Sequence, residues 1–162
     1  MNEQKPRGGL VILLSFVVAL LLAVLPMPGW GQFVRPEWVA LVAIYWVLAL
    51  PERINIGWAW CAGLMLDVMQ GTLLGQNALG LVIVAYIMTR LHRRMRMFPP
   101  LQQSFIVFVV VGLYQMIALW VRSATGAIVP GLSFLLPAIT SAILWPWVFY
   151  ILRDLRRRYR IN

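Results

Sequence analysis

The feature that most constrains this chain is its succession of apolar runs, too many for the core of a soluble domain of 162 residues. Residues 10–25, LVILLSFVVALLLAVL, end at the proline-rich PMPGWGQ; residues 37–50, EWVALVAIYWVLAL, end at Pro51; residues 101–121 and 132–152 give two more. A helix needs about 17–25 residues to cross the hydrocarbon of a bilayer, so the run at 37–50 draws on flanking residues. Residues 54–91 form one weakly interrupted apolar stretch. As a single helix that stretch would be about 57 Å long, nearly twice the hydrocarbon thickness, so it must fold back. The cluster Gly71, Gly75 and Asn77 in QGTLLGQN marks the turn. The pattern predicts an all-α integral membrane protein. It is a single polytopic domain over residues 1–162, a bundle of about six transmembrane helices near 10–25, 37–50, 54–70, 74–91, 101–121 and 132–152.

Lys and Arg orient such a bundle, because cytoplasmic segments accumulate them. With the N-terminus in the cytoplasm, the inner segments hold Lys5, Arg7, Arg53, Arg90, Arg93, Arg94, Arg96, Arg153, Arg156, Arg157, Arg158 and Arg160, and the outer ones only Arg35 and Arg122. The bias places both termini inside; a re-entrant hairpin over 54–91 would give the same count and stays open. Lys5, Arg7 and the run after them resemble a signal peptide, but no small-x-small cleavage site follows, and the segment is read as a retained first span. The net charge of +9 has no aromatic-interleaved groove to go with it, which argues against nucleic acid as a partner. Anionic lipids and cytoplasmic proteins suit the basic runs RLHRRMRMF and RDLRRRYR, with Arg93, Arg94, Arg96, Arg156, Arg157 and Arg158 as a candidate basic surface.

Chemistry-bearing residues are few. His92 is the only histidine and sits in a basic run. No Cys/His set has metal-ligand spacing, no Ser–His–acid arrangement can be assembled, and there is no phosphate loop. No catalytic, cofactor or metal site is expected. Asp67, inside an apolar stretch, is the strongest polar signal, because a lone carboxylate in lipid is costly. It either holds a cation, a proton or a partner's polar group, or it pairs inside the protein and helps fix the bundle, which is the weightier reading. Arg35, Arg122, Gln76, Asn77 and Gln115 are its candidate partners. Ala59, Gly63, Asp67, Gly71 and Gly75 recur every four residues, which on a helix forms a small-residue packing face; Gly71 and Gly75 could instead belong to the turn. Trp30, Trp38 and Trp120 fall where an outer aromatic belt is expected. Pro146 in LWPW is expected to kink the last helix.

Three segments together carry a resemblance: RPEWVALVAIYWVLALPERINIG (35–57), GLMLDVMQGTLLGQNALG (63–80) and SAILWPWVFYILR (141–153). In that order, over nearly the whole chain, the sequence resembles the rod shape-determining membrane protein MreD family. The resemblance implies a non-catalytic component of the cell-wall elongation machinery in the bacterial inner (cytoplasmic) membrane. Its implied partners are MreC, with MreB and RodA and its transpeptidase beyond. It also implies a fold like the substrate-binding subunits of energy-coupling-factor transporters, which supplies the competing reading, a small-molecule binding or transport subunit. A transporter gathers convergent polar groups near the midplane. The intramembrane polar set here is thin: Asp67, Gln76, Asn77, Gln115, Thr140 and Ser141. That favours the interaction protein.

Overall fold

The computed structural model describes residues 7–25, 36–50, 54, 56–71, 74–126 and 135–158. Lys5, Trp30, Arg35, Pro51, Arg53 and Arg160 lie outside the described residues. The described residues form six α-helices: α1 (Arg7–Val24), α2 (Trp38–Ala49), α3 (Ile56–Gln70), α4 (Gln76–Met97), α5 (Pro100–Ala124) and α6 (Leu136–Arg158). The long stretch at 54–91 does fold back. α3 stops at Gln70 and α4 starts at Gln76, with Gly71 (φ 69°) and Gly75 (φ 101°) between them in left-handed conformations. The small-residue stripe therefore ends at Asp67. Gly71 and Gly75 are turn residues, chosen for a backbone that a Cβ would strain.

α2 is the centre. Its residues Val39–Leu48 are all buried, and it packs against α1, α4 and α6. At 12 residues it is about 18 Å long. A helix enclosed on every side needs no polar stripe. The run at 37–50 was expected to draw on flanking residues, but the helix ends within it, between Glu37 and Leu50. α3 and α4 form the most intimate pair, α5 lies against α4 and α6, and α1 caps α2 and α3. The buried face of α3 is Ala59, Ala62, Gly63, Leu66 and Asp67; that of α5 is Gln103, Val107, Val110, Val111, Gly112, Tyr114 and Ala118. Gly112 apart, both follow the three-and-four spacing of a single helix face.

The opposite faces are apolar as well. α1 exposes Leu10, Leu13, Leu14, Val17, Val18 and Leu21, and α5 exposes Leu101, Phe105, Val109, Leu113, Met116 and Trp120. By length and composition, α5 and α6 are the two described helices able to cross a membrane, with α1 and α2 as shorter apolar helices. In apolar surroundings, van der Waals packing and interhelical hydrogen bonds hold helices together, since burial gains little over lipid. Large fully buried side chains, Trp46, Trp145, Tyr45 and Tyr114, sit at the helix contacts. Pro146 lies within α6, which continues as helix to Arg158. Its ring costs the helix one internal hydrogen bond.

Candidate functional site

The polar groups gather at the two ends of the bundle. At one end the α3–α4 hairpin is drawn tight by Gly63. A Cβ there would stand 2.3 Å from the Ala78 Cα and 2.6 Å from its nitrogen. One turn further along α3, that closeness brings Asp67 against the start of α4. Its carboxylate accepts the backbone N–H of Gly75 (2.9 Å), Asn77 (2.9 Å) and Ala78 (3.4 Å). These are N–H groups that a helix start leaves without intrahelical partners, and an anion there also meets the positive end of the helix dipole. Asp67 is fully buried, and its carboxylate oxygens are held by the N–H groups at the start of α4.

The network extends through Asn77. Its Nδ2 donates to Gln70 Oε1 (3.1 Å), and its Oδ1 accepts the Tyr114 hydroxyl from α5. Tyr114 lies within electrostatic range of Asp67, Glu37 and Arg122. Glu37 opens α2. Its backbone N–H donates to Ser141 Oγ of α6 (2.9 Å), and its carboxylate accepts from Gln115 Nε2 of α5. So α2, α3, α4, α5 and α6 are joined at this end by Asp67, Asn77, Tyr114, Glu37, Gln115 and Ser141. Gln76 is buried beside them, and its Nε2 has no hydrogen-bond partner among the described residues.

The other end is basic. Arg96 Nε and Nη2 donate to the carbonyls of Leu48 (3.0 Å) and Ala49 (3.1 Å), placing a cation at the negative end of α2. The buried Gln103 locks the α4–α5 corner: its Nε2 donates to the carbonyls of Met95 (2.7 Å) and Phe98 (3.2 Å), and its Oε1 accepts from Trp145 Nε1 of α6 (3.1 Å). Between these lies a cavity of about 510 Å³, lined among others by Tyr45, Arg96, Phe149, Arg153, Arg156 and Arg157. A second, apolar groove of about 420 Å³ runs between α1 and α6 over α2. Ser15, which lines the groove, accepts from Trp46 Nε1 and donates to the Ile12 carbonyl. Among the described residues no group of three His, Cys, Asp or Glu stands together as a metal site.

The expected residues separate. Asp67 does pair internally, with the backbone N–H groups of Gly75, Asn77 and Ala78. Arg122 is exposed, the ion pair among the described residues joins Arg158 to Asp154 (3.1 Å), and Arg35 lies outside the described residues. Of the other candidate partners, Asn77 meets Asp67 through its own N–H, and Gln115 serves Glu37. Gly63 holds the close approach, whereas Gly71 and Gly75 shape the turn. Arg96, Arg156 and Arg157 share the cavity; Arg93, Arg94 and Arg158 are exposed away from its lining. Sequence reasoning missed Glu37, Tyr114, Gln103, Trp145 and Arg153. Gln103 and Tyr114 share the apolar face of α5, a placement readable from spacing alone. Glu37 directly precedes an apolar run, where a lone acid stands out; its carboxylate turns to Gln115 and does not cap α2.

The chain has relatives. The family model described as "rod shape-determining protein MreD" matches residues 5–155. The "Rod shape-determining protein MreD" of Haemophilus influenzae is 34% identical over 151 residues, 93% of this chain and 93% of that protein. No solved structure matches. An all-helical chain with apolar outward faces, matched over nearly its full length to these proteins, belongs to the MreD family of rod shape-determining proteins.

Proposed function

We propose that the protein serves rod-shape determination as a non-catalytic, six-span component of the cytoplasmic membrane, with both termini inside, that binds MreC and helps position peptidoglycan synthesis. Family membership supports the role in cell shape. The twelve-to-two division of Lys and Arg supports the orientation, and the apolar outward faces support the spans.

The observation that carries the reading is how the buried and half-buried polar groups at the Asp67 end are used. The carboxylates of Asp67 and Glu37 and the side chains of Asn77, Tyr114, Gln115 and Ser141 bond one another and the backbone. Groups satisfied within the fold make a rigid bundle for partners to grip, where a transport subunit would aim such groups into a cavity. MreB, RodA and its transpeptidase are the further partners of this reading.

The test is isolation of the tagged protein from native membranes under mild detergent. MreC recovered in comparable amount supports the reading. An ATP-hydrolysing module recovered in its place would favour the transport reading. Reporter fusions after residues 32, 72 and 126 should read periplasmic, and after 52, 96 and 162 cytoplasmic. A cytoplasmic signal at 72 alone would replace the crossing pair with a re-entrant hairpin, and a periplasmic signal at 162 would remove the six-span topology.

A further inference from the structure

The cavity at the basic end carries more positive charge than the fold uses. Arg96 is engaged with the α2 carbonyls. Arg153, Arg156 and Arg157 line the same cavity, and among the described residues none of the three is joined to a carboxylate. Tyr45 and Phe149 stack edge-to-face, ring centroids 5.7 Å apart, and add an aromatic wall. Guanidinium groups converging beside an aromatic wall suit a phosphate, which takes several N–H donors at once. A cavity of about 510 Å³ is of small-molecule size, where sites run about 300–1,000 Å³.

The neighbouring face of α6 says what kind of phosphate. Val148, Ile151, Leu152 and Leu155 line the apolar groove against α1, and Phe149, Arg153, Arg156 and Arg157 line the basic cavity. Leu152 adjoins Arg153, and Leu155 adjoins Arg156. One stretch of one helix thus offers an apolar channel and a cationic pocket without a paired carboxylate among the described residues, at the end of its apolar run. We infer that this cavity is a binding site for the phosphate of an anionic phospholipid headgroup, with the acyl chains lying along the adjoining apolar surface of α6. The inference rests on the membrane placement proposed above and adds a defined site to it. General attraction of basic residues to an anionic surface follows charge count and is indifferent to position. A site is not.

The experiment uses the purified full chain in neutral detergent, exchanged with equimolar dioleoyl phosphatidylglycerol and phosphatidylcholine, with retained lipid read by native mass spectrometry. Retention of phosphatidylglycerol over phosphatidylcholine by about fivefold or more is expected. Arg153→Gln with Arg156→Gln should lower that preference at least fivefold, and Arg153→Lys with Arg156→Lys should fall between. Arg93→Gln with Arg94→Gln removes the same charge from exposed positions outside the cavity and should change the preference less than twofold. Equal losses in the two Gln pairs would overturn the inference in favour of bulk charge. Glycerol phosphate competing as well as the intact lipid would overturn it in favour of a chain-free anion site, and displacement by an oligoglutamate peptide at lower concentration in favour of an acidic protein segment. If the cavity variants do not stay monodisperse, a phosphatidylglycerol with a photoreactive headgroup on the unaltered protein decides. Crosslinks at residues 149–157 support the site, and crosslinks spread evenly over both basic runs overturn it. The reporter fusion at residue 96 reads the membrane side separately, so a wrong topology and a missing lipid site give different results.

Discussion

Asp67 accepts the backbone N–H of Asn77 at 2.9 Å across the α3–α4 turn. The acid that looked out of place in an apolar stretch is the cap of the next helix. With Gly75 and Ala78 also donating, one carboxylate on α3 satisfies the first turn of α4, and Asn77 passes the connection to Tyr114 on α5. Glu37 does comparable work from α2 towards α5 and α6.

Removing the Asp67 carboxylate should cost the fold. Asp67→Ala leaves buried N–H groups without an acceptor, at about 1–3 kcal/mol for each one stranded. Asp67→Asn keeps an acceptor oxygen and should recover part of the loss, because Asn caps nearly as well as Asp. The check is the temperature at which the detergent-solubilised protein loses monodispersity. Arg122→Ala combined with Asp67→Ala should restore nothing. Recovery in that double variant would mean that an arginine, and not the helix start, compensates the acid.

Gly63→Ala should be among the most damaging small substitutions. The added methyl would meet the Ala78 Cα at 2.3 Å and N at 2.6 Å, so α3 and α4 must part. The obstacle is backbone, so Ala78→Gly should fail to rescue it. A full rescue would show that the helices are set by side-chain contact at Ala78. Folded yield of the single and double variants, measured side by side, decides the matter.

Gln103 and Trp145 should be energetically coupled. Gln103→Leu strands the carbonyls of Met95 and Phe98 and the indole N–H together. Trp145→Phe loses the same indole bond, plus volume. The double variant should therefore cost less than the two singles added, by about 0.5–1.5 kcal/mol for the shared hydrogen bond. Strict additivity in thermal unfolding would deny the contact.

The helices and the turn were legible in the sequence because apolar period, length and glycine clusters are local properties. The apolar run of 37–50 marked a helix, but the flanking residues expected to lengthen it do not: α2 is bounded by Glu37 and Leu50. The backbone partners of Asp67 were not legible by looking for opposite charge. Backbone N–H groups are invisible as residue types, and which helix start lies within reach depends on how closely Gly63 lets α4 approach. The convergence of Arg96 with Arg153, Arg156 and Arg157 was hidden for a related reason. Two basic runs some 60 residues apart in sequence share one cavity only after α5 and α6 pack.

Gln76 separates structure from function at the Asp67 end. It is 4% exposed, its Nε2 lacks a hydrogen-bond partner among the described residues, and it adjoins the turn that Asp67 holds. A buried amide donor left unpaired costs free energy, and an apolar replacement of similar shape removes that cost. Gln76→Met should therefore leave folding unchanged or raise thermal stability, whereas Asn77→Leu, which breaks the bonds to Gln70 and Tyr114, should lower it. The two variants can be compared in cells depleted of the native protein, by rod-shape rescue and by MreC recovery. On the interaction reading, Gln76→Met supports rods and retains MreC. A Gln76→Met protein that is stable and abundant, keeps MreC and yet leaves cells round would mean that the amide serves a bound molecule. That result would reverse the preference between the two readings and favour the small-molecule subunit.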